Sequence, residues 1–238
     1  MEHPPAPPAA APPPASAAAP PRVSGRDIRR GRVLLGVLVL VCVGVEAVLL
    51  GADWHLWGSP RWRALAVQYG GFWAGLLRDW QPNYAAQPVT MFATYSLLHA
   101  GPGHLAGNMV VLAGLGDVTV TRLGARGLAL LCALSAVGGA LAFAVLAPGP
   151  APMVGASGAI FGLAGAWTVR DWQDRTLGGQ GCGPWTVGPW MVALGIVLGL
   201  VALNVAVWWL QDGQLAWQAH LGGFLAGALL QLRSGRRK

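Results

Sequence analysis

Residues 99–126 read HAGPGHLAGNMVVLAGLGDVTVTRLGAR. The segment has a polar head (His99, His104 and Asn108), an apolar body, and a basic foot at Arg122 and Arg126. About 20 apolar residues make a helix long enough to cross the hydrocarbon of a bilayer, and arginines collect on the cytoplasmic side of such spans. The segment therefore predicts a transmembrane helix over 104–121, entered through the apolar stretch 89–98. Its polar head faces out and its basic foot faces in.

Comparable apolar runs lie on either side of it, at 33–51, 127–147, 157–170, 190–210 and 216–232. Of the 238 residues, 54% are hydrophobic and 11% charged, and the mean hydropathy is +0.50. A soluble domain carries about a quarter charged residues. This composition excludes a disordered chain and an ordinary soluble globule, and leaves a polytopic all-α membrane protein with six spans. The net charge of +7 does not indicate nucleic acid, because the cations sit in short clusters between apolar runs and form no basic face. Counted by side in a six-span arrangement, 13 of the 16 Lys and Arg fall with the two termini and only Arg61, Arg63 and Arg78 fall opposite. That asymmetry places both termini in the cytoplasm.

The remaining segments complete the organisation. Residues 1–32 are a Pro/Ala-rich disordered cytoplasmic tail with a basic flank, residues 33–232 a six-helix membrane domain, and residues 233–238 a basic cytoplasmic tail. The tract 1–21 lacks the apolar core of a signal peptide. Residues 52–88 carry Trp54, Trp57, Trp62, Trp73 and Trp80 among polar residues and predict an interfacial loop with short amphipathic helices. Glu46, alone in the first span, lies near its outer end, where it can reach the interface. Cys42, Cys132 and Cys182 share no metal or redox spacing, so no disulfide is expected.

Polar residues inside spans cost free energy and mark function. The second, fourth and sixth spans all run from outside to inside. His104 and Asn108 open the second, Ser157 opens the fourth, and His220 lies one turn into the sixth. Three segments distant in sequence thus bring four polar side chains to one depth near the outer face. The residue types suit nucleophilic catalysis: Ser157 as nucleophile, His220 as its base, and the side chains of His104 and Asn108 as donors to an oxyanion. His104 and Asn108 are four apart and share a helix face. Gly158/Gly162 and Gly223/Gly227 are small-xxx-small pairs that let the fourth and sixth spans approach closely.

These residues resemble three motifs of the rhomboid family of intramembrane serine proteases. His99-Ala-Gly-Pro-Gly-His104-Leu-Ala-Gly-Asn108 resembles its HxxxxHxxxN. Gly155-Ala-Ser157-Gly158, followed by Ala-Ile-Phe161-Gly162, resembles its GxSG with an aromatic residue four positions on. Ala219-His220-Leu-Gly222-Gly223 resembles its AHxxG. The resemblance covers about residues 30–235. It implies a Ser157–His220 dyad with no third acid, an oxyanion hole of His104 and Asn108, Phe161 packed on the His220 ring, and His99 as a structural histidine. It further implies transmembrane protein substrates, no cofactor and no metal, and a multi-pass location expected to be a bacterial inner (plasma) membrane. Two positions depart from the family pattern. Thr90-Met91 stands where many members have Trp-Arg, and Val120 where a glutamate is common.

Other classes fit less well. Gly114-Leu-Gly116-Asp117 spells the GxGD of membrane aspartyl proteases, but that chemistry needs a second aspartate within a span, and none is present. The histidines lack the carboxylate spacing of a zinc protease. Internal repeats or midplane charges of a transporter are absent. The alternative within the family is a catalytically silent protein that binds or traffics membrane clients, against which the intact Ser157 and His220 argue.

Overall fold

The computed structural model describes residues 23–147, 149–177, 191, 195, 198 and 215–235. The Pro/Ala-rich tract, the link 178–183, most of the expected fifth span at 190–210 and the basic end 236–238 lie outside them. Six α-helices are described: α1 (Gly25–Asp53), α2 (Arg61–Gly70), α3 (Gln87–Thr94), α4 (Pro102–Leu146), α5 (Ser157–Leu177) and α6 (Trp217–Gly235). Short 3-10 turns follow α2 and α3, at Ala74–Leu77 and Tyr95–Leu97.

Helix α1 begins ahead of its apolar run because Ser24 caps it, accepting a hydrogen bond from the Asp27 N–H at 3.2 Å. Asp27 in the first turn also complements the helix dipole. The basic flank assigned by sequence to the tail is therefore helical from Gly25 onward.

The expected second and third spans appear as two limbs of α4, separated by Gly124 at φ 69° and ψ −170°. That conformation suits glycine, and a β-carbon there would collide with the Asp27 carboxylate. Each limb has about 22 residues and so measures ~33 Å, one hydrocarbon thickness. The limbs fold back on each other. A straight helix would hold Asn108 and Gly139 about 46 Å apart, yet Asn108 lies near Gly155 and Gly139 near Gly158.

Helix α5 runs beyond Arg170, its last turns held by Arg170–Asp174 and Arg175–Asp171 pairs at i,i+4 spacing. Asp174 also takes Arg122 at 3.3 Å, and Arg32 pairs with Asp117 at 2.8 Å. The basic feet of α1, the first limb of α4 and α5 thus gather at one end of the bundle. Asp117 belongs to this end, away from Ser157.

Glycines set the helix spacing. A β-carbon on Gly223 would strike the Gly158 carbonyl, and one on Gly227 the Gly162 carbonyl. The two glycine faces therefore meet, α5 against α6. The other side of α6 packs as closely on the second limb of α4: Gly222 lies against the Gly138 carbonyl, and Gly139 against the Ala219 carbonyl. Backbones this close gain dispersion contacts that any side chain would block.

Large apolar side chains cover the outside. Leu40, Val110 and Val145 are each at least 70% exposed, and Leu221, Leu225 and Leu229 form an exposed stripe on α6. Lipid satisfies such a surface, whereas water does not. Among the described residues, α1 and α4 are the helices long and apolar enough to cross a membrane. The interfacial loop expected over 52–88 contains α2 and a 3-10 turn, and it exposes Trp54, Trp57, Trp62 and Trp80. Its buried side packs Phe72 edge-on against Phe92, Tyr95 and Phe143.

Candidate active site

Ser157 is the first residue of α5. The loop before it is pinned at two points: Met153 exchanges backbone hydrogen bonds with Phe72 at 2.9 Å, and the Gly155 N–H donates to the Tyr95 carbonyl at 2.9 Å. Gly155 has φ 126°, a conformation that side chains rarely adopt. This turn presents Ser157 at the helix N-terminus, where free N–H groups and the helix dipole favour negative charge.

His220 stands one turn into α6 and is buried. Its Nε2 lies 2.8 Å from Ser157 Oγ. The imidazole stacks flat on the Phe161 ring, with centroids 4.2 Å apart and an interplanar angle of 4°. Phe161 is one turn beyond Ser157, so a single face of α5 supplies both the hydroxyl and the platform for its partner. The contact between Gly223 and Gly158 brings the two helices together one residue past the serine.

The other two polar residues come from the first limb of α4. A β-carbon on Gly155 would lie 3.0 Å from His104 Nε2 and 3.7 Å from Asn108 Nδ2, so both nitrogens face the loop that leads into α5. Asn108 Nδ2 also donates to the His104 carbonyl at 3.1 Å, which holds the amide in place. The Ala100 N–H donates to His104 Nδ1 at 3.4 Å. An accepting Nδ1 leaves the proton of a neutral imidazole on Nε2, the nitrogen that faces Gly155. His99 is buried with its ring edge-on to His104, centroids 5.3 Å apart. All the side chains selected from the sequence, Ser157, His220, His104, Asn108, Phe161 and His99, thus stand around one turn.

Other features escape a reading of the chain. Glu46 is buried within the fold. It is 2% exposed and takes a two-pronged hydrogen bond from Arg63 of α2. Its isolation in an apolar span was the available signal, but nothing in the sequence named its partner. The hydrogen bond to Glu46 raises the Arg63 guanidinium above its ordinary pKa; burial opposes the rise and Asp53 adds to it. The Tyr95 hydroxyl donates to the Ala136 carbonyl at 2.8 Å, tying the first loop to the second limb of α4. Met91 and Val120, at the two departures from the family pattern, are fully buried and apolar. Val120 packs against Gly31 of α1.

Fold and site together define a helical membrane protein with a serine hydroxyl and an imidazole paired at one end of its bundle. The model of the Rhomboid domain matches residues 86–237, and the chain belongs to the rhomboid family. It is 33% identical over 134 residues to RHOMBOID-like protein 5 of Arabidopsis thaliana, covering 56% of this chain and 40% of that protein. It is 30% identical over 199 residues to Rhomboid protein 1, mitochondrial, of Saccharomyces cerevisiae, covering 81% of this chain and 51% of that protein. The chain thus spans about half the length of the curated relatives it matches.

Proposed function

We propose that the chain is an intramembrane serine endopeptidase that cleaves transmembrane substrates near the outer end of their membrane helix. One observation carries the reading: His220 Nε2 stands 2.8 Å from Ser157 Oγ, with the ring held on Phe161. A hydroxyl is a weak nucleophile until a base takes its proton. In this reading Ser157 attacks the scissile carbonyl as His220 accepts that proton. The tetrahedral oxyanion takes hydrogen bonds from His104 Nε2–H, Asn108 Nδ2–H and the α5 N-terminus. His220 then protonates the leaving amine, and water, activated by the same imidazole, hydrolyses the acyl-enzyme. A substrate helix hides its carbonyls in i to i+4 hydrogen bonds, so small or helix-breaking residues near the cut favour cleavage.

The same reading carries the topology. Six spans place both termini in the cytoplasm, the Arg122–Asp174 end inside and Ser157 towards the outer face, in a bacterial inner membrane. The partners are transmembrane protein substrates and the surrounding bilayer.

A fluorophosphonate probe tests the reading directly. Purified wild type is expected to be labelled on Ser157, and Ser157→Ala to remain unlabelled. A folded wild type that takes no label would favour the silent, client-binding alternative. Proteomics of fragments shed with wild type, and absent with Ser157→Ala, then identifies the substrates.

Asn108→Ala is expected to lower turnover on a transmembrane substrate by about 10²–10³-fold, the usual cost of one oxyanion donor, with little change in KM. Turnover equal to wild type would remove Asn108 from the site.

A further inference from the structure

We infer that Arg63 is a positioning residue that sets the tautomer of His104 through the His99–Ala100 peptide, an inference that rests on the hydrolytic reading of the site. Arg63 lies on α2 in the first loop, and its guanidinium ties three separate parts of the chain. Nη1 and Nη2 donate to the two Glu46 oxygens at 3.0 and 2.8 Å. Nε donates to Asp53 Oδ2 at 2.7 Å. Nη1 also donates to the His99 carbonyl at 3.1 Å. Arginine alone offers donors in a planar fork that fits this set; lysine has a single nitrogen.

The last contact reaches the site. The His99 carbonyl and the Ala100 N–H belong to one rigid peptide plane. Arg63 holds the oxygen of that plane, and its N–H points to His104 Nδ1. Fixing the plane therefore fixes Nδ1 as an acceptor and places the neutral ring's proton on Nε2, facing Gly155. If the plane turns, Nδ1 loses its donor and His104 is free to carry its proton on the wrong nitrogen. Glu46, 2% exposed, and Asp53 hold the guanidinium in turn.

The test reads the tautomer and the activity separately. Histidine ¹⁵N spectra of the full chain in detergent contain signals from five histidines, and His104→Gln assigns the relevant pair. Wild type is expected to show His104 protonated on Nε2, and Arg63→Lys a mixture of both tautomers. Turnover on a transmembrane substrate is expected to fall about 10–100-fold in Arg63→Lys at nearly constant KM, the scale of a misplaced group. In a His104→Ala background the same change is expected to cost no more than about twofold, since the two act through one path. If Arg63→Lys fails to fold, the neutral pair Glu46→Gln/Arg63→Gln removes the anchor without leaving an unpaired buried charge. An unchanged His104 spectrum in either folded variant overturns the inference, as do fully additive losses with His104→Ala. If wild type proves inert to the serine probe, the hydrolytic reading fails, and the spectra alone decide whether Arg63 sets the tautomer.

Discussion

Ser157→Ala is expected to abolish cleavage of a transmembrane substrate in liposomes while the melting temperature falls by no more than about 2–4 °C. The serine oxygen is the attacking atom in the proposed reaction, and losing a serine nucleophile costs on the order of 10⁶ in kcat. Its contribution to stability is one hydrogen bond, about 1 kcal/mol net. His220→Ala is expected to be equally inactive. It melts somewhat lower, because it also strips the stacked ring from Phe161, a contact worth about 0.5–1.5 kcal/mol. The two act as a unit across their 2.8 Å contact, so the double variant is expected to be no slower than either single one. Substantial turnover by Ser157→Ala in liposomes free of contaminating protease would sink the serine mechanism. Losses that multiply in the double variant would mean that the two residues act independently.

Gly223→Leu is expected to lose both activity and stability, although residue 223 takes no part in the chemistry. A β-carbon there would meet the backbone of Gly158, with its carbonyl carbon at 2.8 Å and its α-carbon at 3.1 Å. Backbone cannot rotate aside, so α6 must move away from α5. Gly158 follows Ser157, and Gly223 lies one turn after His220, so the displacement falls on the serine–imidazole contact itself. A shift of about 1 Å costs on the order of 10²-fold in rate, and overpacking a tight interface costs about 1–3 kcal/mol. Leu225→Ala is the comparison, since that side chain is 51% exposed on the opposite stripe of α6. It is expected to keep most of its activity and melting temperature. Normal cleavage by Gly223→Leu at an unchanged melting temperature would show that α5 and α6 do not meet through these glycines.

Both predictions rest on features legible in the chain itself. Hydropathy alone located the helical segments now seen in α1, α4, α5 and α6, because in lipid every backbone group must be satisfied within its own helix. Glycines four apart announced the α5–α6 contact, since only bare backbones pack so closely. The side chains around Ser157 are legible because polar residues stand out in apolar runs and each of them lies near the N-terminal end of its run. Less legible was how far each helix runs. Capping by Ser24 and the i,i+4 pairs after Arg170 extend α1 and α5 past their apolar runs, and hydropathy is blind to both.

The class of fold, the sequence positions of the apolar helices described here and the residue types gathered around Ser157 are legible in the chain alone. These follow from local quantities: apolar length, glycine spacing and the sign of flanking charge. Which polar groups pair is settled by packing. Arg63 and Glu46 are 17 residues apart, and Arg63 and His99 are 36 apart. Tyr95 finds the Ala136 carbonyl across 41. The second glycine seam, Gly138 with Gly222, likewise joins segments with no periodic relation. Such partners are selected by the need of each buried donor and acceptor to be satisfied once the helices have packed. That need depends on three-dimensional proximity, which no local pattern in the chain encodes.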